Sequence, residues 1–138
     1  MKKQLITACA FLYQNRKLFA AKRAETKKFL PGKYELPGGH IEYGESLEEG
    51  LAREFEEEFG AEIKVGKPIH AFTYINSIKE SHSVEIVFLA TFKDRAVITL
   101  NPTDHSKSLW ISEDEIDQYF DRNDNEYKAI EVGFKEIK

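Results

Sequence analysis

Nine glutamates crowd the 21 residues from Glu42 to Glu62, and Arg53 is the only base among them. That window carries a net charge of −8, while the rest of the chain carries +4. Much of the acid falls on a segment with explicit helix boundaries. Ser46 and Glu49 form the S-x-x-E pattern of a capping box, and Gly60 supplies a C-terminal stop. Leu47, Leu51, Phe55 and Phe59 recur at helical spacing between them, which predicts a helix from about Leu47 to Phe59.

The phase of that helix makes the acid hard to accommodate. With Leu51 set at 0°, the apolar stripe spans about −40° to about +80°. Glu58 falls at about −20°, inside the stripe, and Glu54 at about −60°, on its edge. (Glu48 also falls within the stripe, so phase alone does not decide.) Glu54, Glu57 and Glu58 stand at i, i+3 and i+4, where like charges repel. A half-buried carboxylate is costly unless it is paired or binds a cation. Arg53 can answer one of them, whereas a divalent ion answers two or three. Clustered carboxylates without thiolates select hard cations such as Mg²⁺ or Mn²⁺, and Mg²⁺ typically joins a few carboxylates to substrate phosphates.

Composition narrows the class. The 138 residues suit one domain spanning 1–138, and 32% charged with 41% hydrophobic residues fits a globular chain. A net charge of −4 argues against a nucleic-acid binder. The single cysteine, Cys9, excludes an internal disulfide and a cysteine-rich zinc site. Lys2-Lys3 and the apolar run after it faintly resemble a secretion signal. The apolar stretch before Cys9 is too short for one, however, and reads as a strand. No run is long enough to span a membrane, so the expected location is cytoplasmic.

Along the chain, Leu5–Tyr13 and Lys17–Lys22 read as a hairpin about the polar turn Gln14–Arg16. Arg23–Glu35 reads as a charged loop and Leu36–His40 as a stiff, glycine-bearing turn. Ile63–Tyr74 is mostly extended, with Pro68 marking an edge or a bend. Val84–Phe92 reads as a strand buried on both faces, and Val97–Leu100 as a short strand. A loop over Asn101–Ser108 precedes Leu109–Ile111, followed by a short helix from Glu113 to Phe120 and a last helix from Asp124 to Phe134. Strands and helices without regular βαβ alternation indicate an α+β sandwich.

The spacing Gly39-x5-Glu45-x7-Arg53-Glu54-Phe55-x-Glu57-Glu58-x-Gly60-Ala61 resembles the Nudix box, with all seven fixed letters present. Phe55 and Ala61 are mild departures at its two bulky aliphatic positions. The resemblance implies a three-layer α-β-α sandwich around a mixed sheet. It also implies Mg²⁺- or Mn²⁺-dependent hydrolysis of a nucleoside diphosphate linked to another group. By motif position, Glu54, Glu57 and Glu58 hold the metal. Arg53 orients the carboxylates, with Glu45 in the same network. Gly38 and Gly39 let the loop backbone pass close to the substrate, which agrees with glycine's tolerance of positive φ.

The proton acceptor stays open between Glu57, Glu54 and Asp104, the last placed like the extra loop acid of MutT-type members. Arg23 is the expected phosphate contact, in a basic stretch that includes Lys22, Lys27, Lys28 and Lys33. Tyr34, Phe72, Tyr74 and Phe88 are the aromatics that could stack a base. Small size favours a MutT-type nucleoside triphosphate pyrophosphohydrolase, acting as monomer or homodimer on a small-molecule nucleotide. Dinucleoside polyphosphates, ADP-ribose and nucleotide sugars are the alternative substrates. A catalytically silent nucleotide-binding module disagrees with the complete set of box carboxylates. An isoprenoid diphosphate isomerase disagrees with a lone Cys9 in an apolar strand. Asp121-x-Asn123-x-Asn125 begins like a calcium loop, but Glu126 stands where glycine is needed.

Overall fold

The computed structural model describes residues 1–94 and 97–138 of the chain. Strand β1 (Lys3–Gln14) is its axis. It turns through Asn15 and Arg16, both at positive φ, into β2 (Lys17–Arg23). Two successive left-handed residues are what a tight two-residue hairpin requires. The expected charged loop then ends in a two-residue strand, β3 (Tyr34–Glu35), paired with β2. The expected turn at Leu36–His40 is only half a turn. Gly38–His40 forms strand β4, antiparallel to Thr7–Cys9 of β1.

Helix α1 spans Leu47–Phe59, as its boundary signals predict. The Ser46 hydroxyl accepts the Glu49 N–H at 3.1 Å, and Gly60 closes the helix at φ 67°. Strand β5 (Ile63–Asn76) lies at the sheet edge, and its register shifts on either side of Pro68, which cannot donate to a ladder. Strand β6 (Ser81–Phe92) pairs antiparallel with β5 and parallel with β1. Buried positions of β6 lie on both faces, although Val84 is exposed.

No strand forms at Val97–Leu100. There the Thr99 N–H donates to the Phe59 carbonyl at 2.8 Å, and the Asn101 N–H to the Glu58 carbonyl at 3.3 Å. These donors satisfy the orphan carbonyls of the last turn of α1 in place of a ladder. The loop expected to run to Ser108 is shorter, because β7 (His105–Ile111) starts at His105 to pair with β2. A 3-10 turn (Glu113–Glu115) leads into α2 (Ile116–Tyr119), and α3 (Asn125–Glu136) ends the fold.

Strand alternation builds the layers. Cys9 and Phe11 of β1, with Leu18 and Ala20 of β2, pack toward Ile130 and Phe134 of α3. Ala8, Ala10, Leu12, Phe19 and Ala21 pack toward Leu51, Phe55 and Phe59 of α1. The period of two thus sends successive residues of one strand into two cores, which makes a three-layer α-β-α sandwich around a mixed sheet. Among the described residues no helix is long and apolar enough to cross a membrane.

Gly133 of α3 lies on the Phe11 ring, where a Cβ would approach ring carbons to 2.2 Å. Alanine favours a helix over glycine by about 1 kcal/mol, but overpacking costs about 1–3 kcal/mol. Phe11 is fully buried and cannot give way. Gly133→Ala should therefore lower unfolding free energy by up to about 2 kcal/mol in urea titration; an increase would show that α3 yields.

Candidate active site

Burying Leu51, Phe55 and Phe59 fixes the rotation of α1 and so aims its acids. Glu54 and Glu58 are half-buried and Glu57 is exposed, in the order the helix phase requires. Glu48, at a stripe angle but in the first turn, is exposed.

Arg53 joins the box. Its Nε and one terminal nitrogen grip the two oxygens of Glu45 at 2.8 and 2.9 Å. The other terminal nitrogen reaches Glu54 at 3.2 Å and Glu57 at 3.2 and 3.3 Å. The same side chain donates to the His40 carbonyl at 3.1 Å, which ties the loop to the helix. Arg53, helped by the Glu42 N–H, holds the Glu45 carboxyl down at about 2. A planar guanidinium suits this bidentate role.

Gly39 lies directly against Glu54. A Cβ there would come within 2.4 Å of the carboxyl group, while one on Gly38 would strike the Ala8 carbonyl at 2.0 Å. Neither glycine has positive φ. The expected backbone freedom is not the reason for them; the missing side chain is.

Glu58 is the anomaly. Its Oε2 is buried and has no hydrogen-bond partner. Burial pushes its carboxyl up to about 9, and the nearby charges of Glu35, Asp104 and Glu54 add to this against the lowering by Lys27. Burial also raises Glu54. Asp104 therefore does stand near the box; the Lys27 ammonium pairs with it at 3.0 Å. Its own backbone N–H also closes a turn onto Asn101 at 2.9 Å, so it serves the loop as well. This donor set fits a hard divalent cation, which would meet the orphaned oxygen and relieve the repulsion. Among the described residues no three such side chains are already gathered as a preformed metal cage, since Glu54 and Glu57 turn to Arg53 instead.

Arg23 ends β2 and lines a cleft of about 430 Å³. Its guanidinium bonds the Phe29 carbonyl at 2.9 Å and Glu35 at 3.1 Å. Glu35 also meets Nε2 of the buried His105 at 2.7 Å. Of the basic residues upstream, Lys27 and Lys33 pair with Asp104 and Asp124, Lys22 lies 3.7 Å from Glu25, and Lys28 is exposed. Phe72 and Tyr74 line the cleft, whereas Phe88 is core and Tyr34 packs on Tyr119.

Sequence reasoning missed Glu35, His105, Glu85 and Glu126. Glu85 had a signal, as the only charge within the apolar run Val84–Leu89. Glu126 was visible only as the residue that spoils a calcium loop, and the pairings of Glu35 and His105 require the fold.

An acidic helix set beside a basic strand end on an α-β-α sandwich agrees with a hydrolase of phosphoanhydrides. The chain belongs to the Nudix family: the family's NUDIX domain profile matches residues 3–132. A nucleoside triphosphatase NudI of Escherichia fergusonii is 25% identical over 126 residues, covering 85% of this chain and 88% of that protein. The crystal structure of a MutT protein from Methanosarcina mazei Go1 superposes with a TM-score of 0.81 at 25% identity, over 99% of this chain and 96% of that one. A MutT NUDIX hydrolase from Burkholderia pseudomallei shares the fold at a TM-score of 0.74 and 20% identity, over 98% of each chain.

The raised Glu58 carboxyl gives a signed pH effect. A carboxyl lifted from 4.5 to about 9 contributes stability fully below its unfolded value and loses it as pH rises toward 9. Glu58→Gln copies the protonated form and removes this titration. In chelator, its Tm should match wild type below pH 4.5 and exceed it increasingly toward pH 9. Parallel Tm–pH curves would refute the assignment.

Proposed function

We propose that the protein hydrolyses nucleoside triphosphates as a MutT-type pyrophosphohydrolase, releasing phosphate or pyrophosphate. Glu54, Glu57 and Glu58 would hold Mg²⁺ or Mn²⁺. The observation that carries this reading is the partnerless, buried Oε2 of Glu58 within a ring of carboxylates. The name of the NudI relative, a nucleoside triphosphatase, supports the substrate class.

A divalent ion held by these carboxylates would supply charge screening between anionic substrate and anionic helix and would make the attacking water easier to deprotonate. The chain's own residues do the rest. Arg23, which lines the cleft, offers its guanidinium to phosphate oxygens. Arg53 keeps Glu45, Glu54 and Glu57 in fixed array. Gly39 leaves the space beside Glu54 open. The attacking water must lose a proton as it meets phosphorus. Glu57, the most exposed carboxylate of the three, is suited to take it; it pairs with Arg53 much as Asp104 pairs with Lys27, and its greater exposure to water is what favours it.

A screen of nucleoside triphosphates, dinucleoside polyphosphates and nucleotide sugars with Mg²⁺ and Mn²⁺ should give turnover on the triphosphates. Glu57→Gln should then lower kcat by about a hundredfold or more, the range for losing a positioned proton acceptor. Asp104→Asn should have the smaller effect. Unchanged turnover in Glu57→Gln, or no activity on any triphosphate, would overturn the reading.

A further inference from the structure

Three strands converge on one carboxylate. Glu35 on β3 pairs with Ala21 of β2, two residues before Arg23. The ladder between β2 and β7 shifts register at Arg23. Lys22 pairs with Lys107, but Arg23 pairs with His105, so β7 carries an extra residue, Ser106. A bulge of this kind re-aims side chains and is common beside active sites. Here it sets His105, in place of Ser106, across from Arg23, and both side chains meet Glu35.

The two contacts divide the carboxylate. Its Oε1 accepts from Nη1 of Arg23 at 3.1 Å, and its Oε2 meets Nε2 of His105 at 2.7 Å. The His105 ring is buried and stacks on Phe59, 5.0 Å between centroids, and its Nδ1 has no hydrogen-bond partner. A hydrogen on Nδ1 would be a buried donor left unpaired. The ring therefore carries its hydrogen on Nε2 and donates it to Glu35. Glu35 is thus held as an acceptor at both oxygens. On Arg23, Nε donates to the Phe29 carbonyl at 2.9 Å and Nη1 to Glu35. Among the described residues no hydrogen bond engages Nη2, and Arg23 lines the cleft.

We propose that Glu35, braced by His105, is a positioning residue that holds Arg23 with Nη2 free for a substrate phosphate. This inference rests on the phosphate contact in the nucleotide reading above. A loose arginine loses rotamer freedom when it binds, whereas a guanidinium gripped along one edge has lost it beforehand. Pairing through a single Nη leaves most of the fork's donors for phosphate oxygens. Glutamine cannot stand in for Glu35. Its amide offers one acceptor and one donor group, so the donor must face either the Arg23 N–H or the His105 N–H. Moving the ring hydrogen to Nδ1 would relieve that clash only by leaving a buried donor unpaired.

Glu35→Gln should raise KM for a nucleoside triphosphate about tenfold or more, the worth of a hydrogen bond between charged groups, with kcat changed less than about threefold. Arg23→Ala should raise KM as well. Glu35→Gln added to Arg23→Ala should change KM by less than about twofold, because the group it positions is gone. A general folding defect would instead multiply through both backgrounds. His105→Phe keeps a ring on Phe59 but deletes the Nε2–H. It should raise KM in the same way, again only while Arg23 is present, and it carries the test if Glu35→Gln does not fold. A ¹⁵N spectrum of the wild-type imidazoles should show the His105 hydrogen on Nε2. Calorimetry with inorganic pyrophosphate and Mg²⁺ separates this proposal from the hydrolysis reading. Weaker pyrophosphate binding in both single variants, not multiplied in the double variant, would sink only the hydrolysis if no nucleotide is turned over. Multiplying effects in the double variant, a hydrogen on Nδ1 of His105, or a Glu35→Gln defect confined to kcat or to the Mg²⁺ requirement would overturn the positioning role.

Discussion

The contact between Arg53 and its carboxylates holds the site together. A helix carrying this many acids on neighbouring turns repels itself, and Arg53 is the only base in the window. Its fork closes on Glu45, touches Glu54 and Glu57, and reaches the His40 carbonyl. One side chain thus neutralises part of the helix and ties the preceding loop to it. Lysine carries the charge but lacks the planar fork, so it could not hold both oxygens of Glu45 in the same way.

Placement of that helix depends on β1. Alternate residues of the strand enter two separate cores, one under α1 and one under α3. The same strand receives β4, whose Gly38 fits only because it lacks a Cβ and whose Gly39 leaves room for the Glu54 carboxyl group. Close packing on β1 therefore brings the loop backbone against Glu54. The site is a consequence of how tightly β4, β1 and α1 fit.

Much of α1 was legible from local rules. Its ends follow from Ser46 and Gly60, and the burial order of Glu54, Glu57 and Glu58 follows from the phase of the apolar stripe. The Pro68 irregularity follows from a missing N–H. What stayed hidden depends on distant partners. Tyr34–Glu35 becomes a strand only by pairing with β2, and Val97–Leu100 stays outside the sheet, where the Thr99 N–H caps α1. Neither choice is encoded in the segment itself.

The sequence by itself determined the helix, its acidic face and the box spacing. Each of these rests on contacts within about one or two helical turns, where side-chain direction follows from backbone period. The tertiary structure decided which other carboxylates join. Glu35 and Asp104 come to Glu58, and Glu85 and Glu126 come to the cleft, from strands, loops and a helix far apart in the chain. Periodicity says which way a residue points but not which residue it will meet, and the electrostatics of a buried group depend on that meeting.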